Sequence, residues 1–175
     1  MIAQLHRLPG GRFRRILHPT RFSALDAGVF EIACALARDS DAELIVTHVA
    51  NAEVLYRCQD YRAGIEQRLE VLQSSQPELC ISTVIVSGPA ASEIGALSRD
   101  LACDLLVMRE STPGWISGRW IESLSQRVKR MAPCPAVCVS KAGSYGWKHE
   151  NGRLGAFHRD AADAPLQETV WGQVP

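Results

Sequence analysis

The strongest constraint in this sequence is a set of short apolar runs that do not alternate with polar residues. Leu44-Ile-Val-Thr-His-Val49 is continuous in apolar character, and Asp104-Leu-Leu-Val-Met108 and Ala136 to Val139 read the same way. A strand with one wet face shows a period of two. Runs without that period belong to a sheet covered on both faces, which is the habit of parallel sheets.

Between these runs the period changes to that of a helix. Leu25, Val29, Ile32, Ala33 and Leu36 recur at helical spacing after Ser23, a natural N-cap, giving a helix from Ala24 to about Arg38. Val54, Cys58, Tyr61, Ile65, Leu69 and Leu72 mark a second helix from Glu53 to about Ser74, ended by Pro77. Ile94, Leu97 and Leu101 mark a third, about Ala91 to Leu101, and Gly118 to Met131 reads as a fourth. The strands fall near Phe13 to Pro19, Leu44 to Val49, Ile81 to Val86, Asp104 to Met108 and Ala136 to Val139. Strand and helix therefore alternate throughout, which predicts an α/β domain: a three-layer open sheet with helices on both faces. In such a sheet ligands sit outside the carboxyl ends of the strands. The polar turn from Arg109 to Ser117 leaves one of those ends and feeds a helix start, whose unpaired N–H groups attract anions.

Composition removes several function classes. At 175 residues the chain suits one domain. A net charge of +0 is not that of a nucleic-acid polyelectrolyte. No apolar run approaches the roughly 18 residues a membrane span needs. Residues 1–12 read as a solvated basic arm, residues 13–140 as the domain, and residues 141–175 as an irregular extension with isolated Trp147, Phe157 and Trp171 anchors. Cys34, Cys80, Cys103 and Cys138 lie inside apolar patterns, and no pair has C-x-x-C spacing. Reduced, mostly buried thiols in a cytoplasmic protein follow from that pattern.

Taken together, Arg15-Ile-Leu-His-Pro-Thr20 with Phe22-Ser23, Ala42 to Val49, Gly88-Pro-Ala-Ala91, Ala102 to Met108 and Ser123 to Val139 resemble the universal stress protein family. The resemblance covers about Phe13 to Ser140. It implies an adenine nucleotide alpha hydrolase-like, Rossmann-like sheet in the order 3-2-1-4-5, a homodimer through the fifth strand, other protein partners, and no catalysis. It also implies an ATP site whose walls fall at Pro19, Thr20, Val49 and Met108. The family's nucleotide-binding members carry Gly-x2-Gly-x9-Gly-Ser/Thr after strand four, because amides must reach phosphate oxygens with no side chain between. Here those positions are Arg109, Thr112 and Glu122, followed by Ser123 and Leu124, and the aspartate expected after Pro-Thr is Arg21. Only the final hydroxyl is kept. The expectation is therefore a family member without a cofactor, its ATP cradle lost, with an ATP- or AMP-binding member as the alternative. Arg109 is expected to pair with Glu122 and fill the phosphate space. Alternatively, Arg21 and Arg109 recruit a different anion.

The remaining chemistry is sparse. His18 and His48 end neighbouring strands without a third evident ligand, so they are expected to satisfy hydrogen bonds rather than a metal. Ser111, Thr112 and Ser117 lack a Gly-x-Ser-x-Gly elbow and are expected to cap or turn the backbone. Trp115 and Trp120 are expected to pack into the core or a dimer surface rather than stack on a base.

Overall fold

The computed structural model describes residues 13–111, 114–116, 119–140, 145–148 and 154–157. Strands β1 (Arg15–Pro19), β2 (Glu43–Ala50), β3 (Ile81–Ser87), β4 (Leu105–Arg109) and β7 (Ala136–Val139) pair in parallel in the order β3-β2-β1-β4-β7. This is the expected order 3-2-1-4-5, with β7 as the fifth strand. The unbroken apolar runs are explained by two cores. Ile16, Leu44, Val46, Leu105, Val107, Val137 and Val139 join one cluster. Their neighbours Leu17, Ile45, Leu106, Met108, Ala136 and Cys138 join the other. Strands β1, β2, β4 and β7 thus bury both faces, at about 2 kcal/mol for a fully buried Leu such as Leu17 or Leu106, while the edge strand β3 buries only Ile81.

Helix α1 (Ala27–Ser40) covers the first core and ends at Asp41, whose φ of 55° is the left-handed turn that Asp tolerates. The segment read as its first turn, Ala24–Asp26, is a separate 3₁₀ turn, and Leu25 points out of the core at 47% exposed. The expected second helix is two. Asn51 caps α2 (Ala52–Arg57) through Oδ1, which accepts from the amides of Glu53 and Val54. Extended Cys58 then breaks the register before α3 (Gln59–Ser74). Because of that break Val54 and Cys58 are exposed, while Leu55, Ile65, Leu69 and Leu72 are buried. Helix α4 (Ala90–Asp100) lies within a residue of its expected span. At Gly95 an added Cβ would meet the Met131 Cβ at 3.1 Å, so glycine lets α4 approach helix α5 (Leu124–Met131).

Two corrections fall after β4. The segment read as the start of a helix at Gly118 is an antiparallel ribbon, β5 (Gly114–Ile116) and β6 (Arg119–Ile121), with Trp115 opposite Trp120. A two-residue Ser117-Gly118 connection between Trp/Ile-rich flanks is a hairpin signal that outweighs the helical period. Where the two tryptophan side chains pack lies outside the described residues. Helix α5 is confined to Leu124–Met131. The extension is also not irregular throughout. Strands β8 (Tyr145–Lys148) and β9 (Leu154–Phe157) extend the sheet antiparallel beyond β7. Four-residue strands that each contain a glycine leave too little alternation to read. Residues 1–12 and the Trp171 anchor lie outside the described residues. Cys80 and Cys58 are exposed, Cys134 is partly buried, and Cys34, Cys103 and Cys138 are buried; all six thiols are free. Among the described residues no helix is long and apolar enough to cross a membrane.

Candidate functional site at the carboxyl ends of the central strands

A cleft of about 250 Å³ opens where β1, β2 and β4 end. Pro19, Thr20, Arg21, Val49, Met108, Arg109 and Leu124 line it, all positions expected from the sequence. Asp26, Ala90, Ile94 and Ser111 complete it and were not expected as site residues. Glu122 and Ser123 stand outside the lining, and Thr112 lies outside the described residues.

The β1 side of the cleft is built on a buried carboxylate. Asp26 is 3% exposed, and its Oδ2 accepts from the backbone amides of Arg21 and Ser23, both at 3.0 Å. Its Oδ1 faces Nε of Arg109 at 3.7 Å. The sequence signal for this was Ser23-x-x-Asp26, the spacing of a capping box before an apolar run. Phe22 closes the turn at a φ of 56°, a left-handed conformation that costs about 1 kcal/mol or more for such a residue. Three contacts hold it there. Its amide donates to Thr20 Oγ1 at 3.1 Å, its ring stacks on His48 at 4.9 Å, and the Arg68 guanidinium lies over it at 5.7 Å.

Both strand-end histidines bond to backbone carbonyls. The β1–β4 ladder stops at Leu17–Leu106, because Pro19 has no amide hydrogen to extend it. The Val107 carbonyl instead accepts from His18 Nδ1 at 2.9 Å. That bond places the proton on Nδ1 and leaves the buried Nε2 without a partner. Burial lowers the His18 pKa, against the Val107 bond and Asp26, which raise it. His48 Nδ1 donates to the Thr20 carbonyl at 3.0 Å, and its pKa is also lowered, chiefly by burial. Among the described residues no group of three or more His, Cys, Asp or Glu side chains is placed to hold a metal.

The β4 side is built differently. The start of α5 is closed by serine hydroxyls: Ser111 Oγ accepts from the Ser125 amide at 2.8 Å, and Ser123 Oγ accepts from the Gln126 amide at 3.2 Å. Ser125 Oγ lies 3.1 Å from both Ser111 Oγ and Ser123 Oγ. The Gln126 side chain returns to the Ser123 amide at 3.2 Å, completing a capping box. Two of the amides that a phosphate could use at this helix start, those of Ser125 and Gln126, are therefore already bonded within the chain.

The expected Arg109–Glu122 pair is not formed. Glu122 accepts from Arg130 Nη1 at 2.6 and 2.8 Å, and Arg109 turns to Asp26. A buried acid beside Arg109 competes better for it than a partly exposed one that Arg130 already holds.

Residues 12–140 match the sequence profile of the Universal stress protein family. The chain belongs to that family. No curated protein sequence matches it. Among solved structures it resembles a universal stress protein in complex with cAMP, with 19% identity, a TM-score of 0.61, and coverage of 75% of this chain and 99% of the other. It also resembles a universal stress family protein from Burkholderia pseudomallei, at 20% identity and a TM-score of 0.58, covering 75% and 98%. UspA from Lactobacillus plantarum matches at 17% identity and a TM-score of 0.54, covering 74% and 99%. At these identities the likeness establishes the shared fold.

Proposed function

We propose that this universal stress protein works without catalysis, through protein contacts in the cytoplasm, and does not hold ATP as a resident ligand. The carrying observation is the pair of α5 amides, Ser125 and Gln126, bonded to the Ser111 and Ser123 hydroxyls. A polyphosphate seated there would have to displace both bonds, with side chains rather than glycines at Arg109 and Glu122. The non-catalytic reading is supported by the histidine bonds: both Nδ1 atoms engage backbone carbonyls rather than a serine or cysteine. Six free thiols suit a reducing compartment. A homodimer through the fifth strand meets an obstacle, since β7 has β4 on one side and β8 on the other.

The test is to purify the chain, denature it and analyse what is released, followed by calorimetric titration with ATP and magnesium. No nucleotide and no heat of binding are expected; stoichiometric ATP overturns the reading.

A second reading is favoured by the cleft itself. Its volume of about 250 Å³ lies just below the common range of ligand sites, roughly 300–1,000 Å³, and Val49, Met108 and Ile94 give it apolar walls beside Arg109. A ligand the size of AMP or cAMP would use those walls without the α5 start. That reading expects AMP to bind at least as tightly as ATP; ATP binding markedly tighter than AMP contradicts it.

A further inference from the structure

We propose that the cleft is a site for a small organic monocarboxylate with an apolar body, its charge met by Arg21 rather than by the start of α5. Three of the lining residues are ionisable, Arg21, Asp26 and Arg109, and they are not equivalent. Asp26 is buried, accepts from two backbone amides through Oδ2, and presents Oδ1 to Arg109. Those two charges answer each other. Arg21 is exposed, and among the described residues no carboxylate lies within ion-pair distance of its guanidinium. Two cations and one anion thus leave the cleft with one positive charge unanswered. The backbone beneath that charge is held on both sides. The Thr20 amide donates to the Thr47 carbonyl at 2.8 Å, the Arg21 amide to Asp26 at 3.0 Å, and the Phe22 amide to Thr20 Oγ1 at 3.1 Å. Only the side chain has to be ordered when a ligand arrives.

The rest of the cleft selects what the ligand's charge is attached to. Pro19, Val49, Ile94, Met108 and Leu124 give apolar walls. At about 250 Å³ the cleft is smaller than the roughly 300 Å³ at which sites for drug-sized ligands begin. It suits one ring or a short alkyl chain. A carboxylate on such a body is planar and takes two parallel hydrogen bonds from a guanidinium. A second negative charge finds no second unpaired cation, and it meets the Asp26 carboxylate in the same lining. The Ser125 and Gln126 amides at the start of α5 are taken. The ligand therefore carries a single charge. This inference shares with the second reading above the premise that the cleft binds a ligand, and departs from it in the ligand's class.

The experiment titrates the full-length chain with phenylacetate and with neutral phenylacetamide, at neutral pH and low salt, following amide and methyl NMR shifts. Phenylacetate is expected to move the Val49 and Met108 signals and to bind at least roughly tenfold tighter than the amide, the worth of one charge-assisted bond. Arg21→Gln should erase that preference, and Arg21→Lys, which keeps the charge without the planar fork, should retain part of it. Both variants keep the β1 loop, because the backbone amide of Arg21 makes the bond to Asp26. No shift at millimolar phenylacetate overturns the proposal, as does equal binding of the neutral amide or a preference that survives R21Q. AMP titrated into the same samples separates this proposal from the second reading. AMP binding without phenylacetate binding sinks the proposal and leaves that reading standing. Phenylacetate binding without AMP binding does the reverse.

Discussion

The loops leaving β1 and β4 flank the same cleft and solve the same problem, a set of unpaired backbone amides, by different chemistry. After β1, one buried carboxylate gathers the Arg21 and Ser23 amides and faces Arg109. After β4, neutral hydroxyls of Ser111 and Ser123 take the Ser125 and Gln126 amides. A charge in a buried setting makes stronger hydrogen bonds and is costly to lose, whereas hydroxyl caps contribute less and are insensitive to pH. The first loop is therefore a structural anchor held by charge. The second is a helix start capped by neutral side chains, which on the proposed reading keeps a polyphosphate out.

The largest expected effect is at Asp26. Replacing it with Ala strands two amides and leaves the partly buried Arg109 without its carboxylate, at a cost of about 3 kcal/mol in urea denaturation. Asp26→Asn keeps an acceptor but not the charge, and should lose less than half of that. Equal losses in the two variants would show that shape, not charge, holds the β1 loop, and the contrast with the β4 loop would collapse.

Next comes pH. Both His18 and His48 have pKa values lowered from 6.5, burial being the main cause. Below about 6.5 the unfolded chain takes up protons that the folded chain resists, so stability is full above that pH and falls as pH drops. The slope is at most about 1.4 kcal/mol per pH unit for each histidine. Urea midpoints measured between pH 7.5 and 5 should fall, and His18→Gln should flatten the curve. A slope unchanged by H18Q would mean that the buried ring is not the resisting group.

How much of this was legible follows from where tertiary partners act. The central parallel strands were readable because Leu17, Ile45 and Leu106 sit in short runs whose residues bury alternately into the two cores, too short for a helix and bounded by turns. The cleft walls at Pro19, Val49 and Met108 were readable through the family resemblance. What failed were pairings decided by competition. Arg109 was matched to Glu122 through the family motif, and sequence spacing does not say that Asp26 is the buried acid beside it. Gly118 to Met131 carries both a hairpin connection and a helical period, and only the Ser123-x-x-Gln126 spacing marks where the helix starts. The Ser125 hydroxyl gave no signal, since its partner Ser111 lies 14 residues away on a different loop.

The hydroxyl side should respond more modestly. Ser111→Ala and Ser123→Ala each uncap one α5 amide and should cost about 1 kcal/mol, measured by thermal or urea unfolding. The double variant has a second readout. With both amides freed, the helix start recovers an attraction for anions of about 0.3–1 kcal/mol, which is roughly a two- to fivefold gain in ATP affinity in low salt. Loss of stability without any gain in affinity would mean that the hydroxyls cap the helix but do not exclude the phosphate.

The smallest effect is expected at Glu122 and Arg130, which distinguishes closure by hydroxyls from closure by repulsion. Their bonds are short, at 2.6 and 2.8 Å, but the side chains are 35% and 65% exposed, so solvent screens them. Such pairs contribute about 0.5 kcal/mol or less. Glu122→Gln should therefore leave the urea midpoint nearly unchanged, and it should not create ATP binding in calorimetry, because the α5 amides remain bonded to Ser111 and Ser123. ATP binding gained by E122Q alone would place the exclusion in the carboxylate. The β4 loop would then, like the β1 loop, be governed by charge.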